Sequence, residues 1–147
     1  MDAGLALLGT VGVCVLGSFL PWVNTEAAVV TAALLLPPRM LPLLVLGAAS
    51  AQVFGKGTLY ALARWAPRRL PVRARTRIAG LSALAARRTS LGLAVLASST
   101  VGVPPFYVMA LACGTVSLPL AFFLSAAFAG AVVRYAVISL AAVLLKG

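Results

Sequence analysis

The chain has 147 residues, of which 63% are hydrophobic and 10% charged, with a net charge of +10 and no histidine. A soluble domain carries roughly a quarter charged residues, so the composition excludes an ordinary soluble fold and points to one compact membrane unit over residues 1–147. With no histidine and two carboxylates, Asp2 and Glu26, the chain lacks the usual acid–base pairs and metal clusters, so a non-enzyme without cofactor or metal is expected.

Residues 3–20 read as an apolar helix rich in small residues, and Pro21 stops it, because an internal proline removes a backbone bond and clashes with the preceding turn. There is no basic stretch ahead of this run, so a cleaved signal peptide is not expected. Asn24 or Thr25 can then cap a second helix, residues 27–36, with Glu26 in its first turn, where the helix dipole favours negative charge. About ten residues are too few to span a bilayer. The Pro37–Pro42 run is a stop and a turn.

A helix of spanning length follows at residues 43–64. It carries Gly47, Ala51 and Gly55 at four-residue spacing, a face on which helices approach closely in lipid. A neighbouring face carries Gln52, Lys56 and Tyr60. Lys56 lies deep in the segment, too far in to snorkel freely, so a partner or water is expected.

Eight of the twelve cations fall from Arg64 to Arg88, seven of them inside the segment 65–90. Flanked by apolar sequence, this is a cytoplasmic loop by the positive-inside rule, with attraction to anionic lipid headgroups. Nucleic acid is not expected as a partner, since the arginines are not interleaved with stacking aromatics. Ile78, Leu81, Leu84 and Ala85 make a short interfacial stripe.

The second half, 91–147, repeats the first. Residues 91–97 are apolar, and Ser98-Ser99-Thr100 through Pro104-Pro105 reads as a polar break. A short helix from about 106 to 116 ends near Pro119, and a long one, 120–145, holds Gly130, Arg134 and Tyr135. Corresponding features recur about 75 to 80 residues apart. The expected fold is therefore an all-α membrane protein, an inverted repeat of a re-entrant hairpin plus a transmembrane helix, with repeat one at 1–64 and repeat two at 91–147. Ordinary spanning helices with proline kinks are the plainer alternative.

A lone Glu26 in apolar sequence costs several kcal/mol unless it meets a cation, a donor or water. Lys56 or Arg134 can supply the cation. In the re-entrant reading, the helix starts after Asn24-Thr25 and after Pro104-Pro105 face a shared space and suit an anionic headgroup. Ser99, Thr100, Tyr60 and Tyr135 add hydroxyl donors. Each also has a plainer role: Glu26 as a surface cap, the cations as structural pairs, the hydroxyls as donors to nearby carbonyls, the tyrosines as packing. Cys14 and Cys113 read as small packing residues. The small-residue faces permit a homodimer.

The run Gly55-Lys56-Gly57-Thr58-Leu59-Tyr60-Ala61-Leu62-Ala63-Arg64 resembles the Gly-Asp-x-x-x-Tyr-x-x-Gly-Arg stretch of the DedA superfamily, also called the VTT or SNARE-associated family. Pro21 to Glu26 resembles that family's proline-rich break ending in an acid. Val101-Gly102-Val103-Pro104 with Ala112-Cys113-Gly114 resembles its Pro-Gly-Val-Arg followed by an Ala-Gly pair, and Gly130-x-x-x-Arg134-Tyr135 is similar to the small YqaA-like branch. The resemblance implies a multi-pass protein of the bacterial cytoplasmic membrane, with two opposed re-entrant hairpins, that moves phospholipid or polyprenyl phosphate as a flippase or scramblase. Glu26 would be its membrane-embedded acid. Lys56 stands where the family often has Asp, and Pro104 where it has Arg, which favours movement without proton coupling. The competing expectations are a proton-coupled transporter of ions or small drugs and a non-transporting assembly factor acting through the basic loop.

Overall fold

A computed structural model describes residues 2–20, 22–66, 71–73, 75–76, 88–102 and 105–147. The proline breaks at Pro21 and Pro104 and the stripe Ile78, Leu81, Leu84 and Ala85 lie outside the described residues. Among the described residues all regular structure is helical, with no strand. In chain order the helices are α1 (Ala3–Phe19), α2 (Thr25–Leu35), α3 (Leu41–Trp65), α4 (Arg88–Val101), α5 (Phe106–Thr115) and α6 (Leu120–Lys146), with a 3-10 turn at Pro38–Met40 before α3. Two segments, Pro38–Trp65 and Leu120–Lys146, are long and apolar enough to cross a membrane; α1, α2, α4 and α5 are apolar but shorter. Large apolar side chains such as Leu8, Leu35, Phe54, Leu93, Val137 and Leu144 stand exposed along them, a surface suited to lipid rather than water.

The chain forms two compact units, and they are not its sequence halves. Unit 1 is Met1–Gly55 with Ala131–Gly147, and unit 2 is Lys56–Gly130. Each hairpin thus packs with part of α3 and part of α6.

In unit 1, α1 contacts α2. Asn24 begins α2: its side-chain oxygen accepts from the Ala27 amide at 3.0 Å, satisfying one of the unpaired donors of the first turn. Pro42 falls in the first turn of α3, where its missing N–H costs no helical bond. The Gly47, Ala51 and Gly55 face does turn toward α1. A Cβ at Gly47 would touch Val11 at 3.0 Å, and one at Gly55 would overlap Ser18. Close approach lets Ser18 donate to its own helix at Cys14 (2.9 Å) and to the Gln52 carbonyl of α3 (3.5 Å). Cys14, Val29, Ala33, Leu44, Ala48 and Tyr135 form the core.

In unit 2, α4 contacts α5. The expected break at Ser98-Ser99-Thr100 is not where the helix ends: all three are helical, and α4 runs to Val101. The reason is local bonding. Thr100 returns its hydroxyl to the Leu96 carbonyl at 2.8 Å, and Ser99 donates to Ala127 of α6 at 2.7 Å, so neither competes for the helix amides. The stop is Gly102, whose φ of 88° is open to glycine at little cost. The end of α5 is a Schellman turn: Leu118 N–H donates to Cys113 at 3.0 Å and Ser117 N–H to Gly114 at 3.2 Å, with Ser117 in the left-handed region usually filled by glycine.

Candidate functional site

The one ion pair among the described residues joins the two features the sequence singles out. Arg134 Nη2 of α6 bonds Glu26 Oε1 in the first turn of α2. Both ends of α2 are tied to α6, since the Lys146 ammonium donates to the Leu34 carbonyl at 2.8 Å. Glu26 meets Arg134 and Leu34 meets Lys146, so α2 runs parallel to this part of α6. The rises are about 12 Å and about 18 Å, and the flexible lysine stem spans the difference. The arrangement complements the α2 dipole at each end, acid at the amino end and cation at the carboxyl end.

Around the pair lies a polar cluster on three helices. Gln52 of α3 donates its amide to the Thr25 hydroxyl at 3.3 Å. The buried Tyr135 side chain lies beside Thr25 and Gln52. Thr25 also packs over Gly17, where a Cβ would overlap its methyl group. Asn24, Thr25, Glu26, Arg134 and Tyr135, five of the nine candidates, therefore share one cluster in unit 1. Gln52 completes it; the visible signal was an amide alone in an apolar helix. The Glu26 side chain is 46% exposed and that of Arg134 26%, so the pair is reachable rather than sealed.

The other four candidates lie in unit 2. Tyr60 is fully buried. It donates to the Leu118 carbonyl, accepts from Arg64 Nη1 at 2.7 Å and stacks on Phe123 with ring centroids 5.0 Å apart. Its hydroxyl is committed on both sides, which makes it a packing and anchoring residue. Ser99 and Thr100 spend their hydroxyls on carbonyls, as described above. Lys56, buried, finds its partner in an aromatic face: its ammonium lies 5.0 Å from the Phe106 ring centroid.

Both cysteines are buried and unbridged, and no group of three His, Cys, Asp or Glu that could hold a metal exists among the described residues. Compared with known families, curated proteins and solved structures, the chain matches none. Chemically, the unit 1 cluster offers a guanidinium, a helix amino end, an amide and two hydroxyls around one displaceable carboxylate. That set suits reversible binding of an anionic group.

Proposed function

We propose that the protein is a multi-pass membrane transporter that moves lipids of anionic headgroup, phospholipid or polyprenyl phosphate, as a flippase or scramblase of the DedA kind. The observation that carries this reading is the Glu26–Arg134 pair. Arg134 is the fifteenth residue of the 27-residue α6, so in a spanning helix it lies about 21 Å from the start, near the middle of a hydrocarbon layer about 30 Å thick. Glu26 then stands at mid-depth. The 11 residues of α2 cover about 16 Å, enough to return to the face at which α6 ends. A hairpin that dips to the midplane and comes back is what this geometry favours.

The basic segment between α3 and α4 sets the orientation, being cytoplasmic by the positive-inside rule. The α1–α2 hairpin then opens to the outer face and the α4–α5 hairpin to the cytoplasm, as an inverted repeat. In this reading a lipid phosphate exchanges with Glu26 for Arg134 and the α2 amino end, while its tails remain among the exposed apolar side chains. Vesicles carrying fluorescent phospholipid or polyprenyl phosphate test it: the wild type moves lipid and Glu26→Gln changes the rate at least tenfold. Equal rates for both, no faster than empty vesicles, refute it.

The same pair favours a second reading, a proton-coupled exporter in which protonation of Glu26 releases Arg134. That transporter acidifies or alkalinises the vesicle lumen when substrate is added and leaves lipid asymmetry unchanged.

A further inference from the structure

The chain has two side-chain amides, Asn24 and Gln52, and both bond to the first turn of α2. Asn24 accepts from the Ala27 amide, and Gln52 Nε2 donates to the Thr25 hydroxyl at 3.3 Å. Asn24 is the local cap of the helix. Gln52 reaches in from α3, and among the described residues no bond joins it to Glu26 or Arg134. It meets the residue beside each of them instead. Thr25 precedes Glu26 on α2, and Tyr135, which follows Arg134 on α6, lies beside Thr25 and Gln52. Successive helical residues point about 100° apart, so fixing Thr25 and Tyr135 fixes the rotation of both helices.

Gln52 is itself anchored. Its backbone carbonyl accepts from Ser18 of α1 at 3.5 Å, and Gly55 lets α1 come that close. The same helix receives Thr25, whose methyl group fills the space over Gly17. Contacts between α1 and α3, α3 and α2, and α2 and α1 therefore close into a ring beside the ion pair.

Unit 2 supplies the contrast. There Ser99 packs on Gly130 and bonds the carbonyl of Ala127, three residues before that glycine, as Ser18 bonds the carbonyl three residues before Gly55. Alanine stands where unit 1 has the amide, and among the described residues unit 2 has no ion pair. Glycine and serine suffice for the helix crossing; the amide accompanies the pair.

We propose that Gln52 is a positioning residue: through Thr25 and Tyr135 it holds Glu26 opposite Arg134, and so sets how readily Arg134 is released to an incoming anion. An amide in apolar surroundings is costly to leave unbonded, which keeps Gln52 on the Thr25 hydroxyl. The hold on the pair stands on unit 1 alone; the effect on release rests on the transport reading.

The test measures the coupling of Glu26 and Arg134 by a double-mutant cycle, Glu26→Gln with Arg134→Met, on unfolding of the whole protein in mixed detergent. The cycle is repeated in Gln52→Met, Thr25→Val and Thr25→Ser backgrounds. Gln52→Met keeps the length without the amide, and Thr25→Val keeps the methyl group over Gly17 without the acceptor. Each is expected to cut the coupling about threefold or more, and the two together no further, whereas Thr25→Ser keeps it within about 1.5-fold. An amide that merely adds stability lowers every member of the cycle alike and leaves the coupling unchanged. That result overturns the inference, as does a wild type with no coupling at all. Lipid movement is read in separate vesicles, where Gln52→Met is expected to shift the rate in the same direction as Glu26→Gln. A wild type that moves no lipid removes the transport reading, and the cycle still decides the hold of Gln52 on the pair. A lost coupling with an unaltered lipid rate supports that hold and overturns the effect on release.

Discussion

Gly130 crosses α4 directly over Ser99: a Cβ there would stand 2.6 Å from the Ser99 Cβ and 3.0 Å from the Leu96 carbonyl oxygen. Gly55 meets Ser18 in the same manner in the other unit. At both crossings the absent side chain lets a serine hydroxyl reach the neighbouring helix, the role small residues play where helices pack in lipid.

Adding one methyl group at either crossing therefore forces the helices apart. Gly130→Ala and Gly55→Ala are expected to destabilise by about 1–3 kcal/mol each, the usual cost of overpacking. Gly12→Ala, with nothing within 4 Å of its added Cβ, is expected to be neutral or stabilising by about 0.5–1 kcal/mol. Unfolding in mixed detergent, followed by circular dichroism, ranks the three. Equal losses at all three sites would contradict the crossing geometry.

Glu26 and Arg134 are expected to behave as one unit. Glu26→Gln or Arg134→Met alone leaves its partner without a counter-charge, whereas the double variant removes both charges. Because the two side chains are in direct contact and only partly exposed, a coupling of about 0.5–3 kcal/mol is expected in a double-mutant cycle on stability. Strict additivity would mean that the pair does not persist in solution.

Tyr60 is expected to matter through its hydroxyl. Tyr60→Phe keeps the ring stack on Phe123 but strands the buried Leu118 carbonyl and removes the acceptor for Arg64. A loss of about 1–3 kcal/mol follows from leaving a buried carbonyl unsatisfied. Tyr60→Leu should lose more, since the stack goes too. If Tyr60→Phe matches the wild type in unfolding, the hydroxyl bonds contribute nothing.

Ser117 occupies a position suited to glycine, with φ of 57°. Ser117→Gly relieves a left-handed conformation that costs roughly 1 kcal/mol or more for an L side chain, so a modest gain in melting temperature is expected. Ser117→Val, β-branched, should lower it. The opposite order would show that the Schellman turn at the end of α5 is not formed.

Lys146 closes the carboxyl end of α2. Lys146→Gln is expected to weaken that end by about 0.3–1 kcal/mol. Hydrogen exchange at Leu34 to Leu36 should quicken there, while Lys146→Arg preserves protection. Unchanged exchange in Lys146→Gln would remove the clamp.

Several features were decided by the residues themselves, because local physics decides them. Helical character and approximate ends follow from long apolar runs cut by proline. The first turn of α2 follows from Asn24 ahead of an acid, and the face of α3 that meets α1 from small residues at four-residue spacing. An isolated carboxylate in apolar sequence also had to find a cation, and only a handful were available outside the basic segment. Which cation it found, Arg134 and not Lys56, was decided by tertiary packing, since α6 and α2 lie far apart in the chain and only their parallel docking brings Glu26 and Arg134 together. The same holds for the exchange of helix ends between units, for the ring that receives Lys56, and for the hydroxyls of Ser99, Thr100 and Tyr60. Polarity marks those side chains as needing partners, but the identity of a partner is a property of distance in space, which spacing along the chain does not encode.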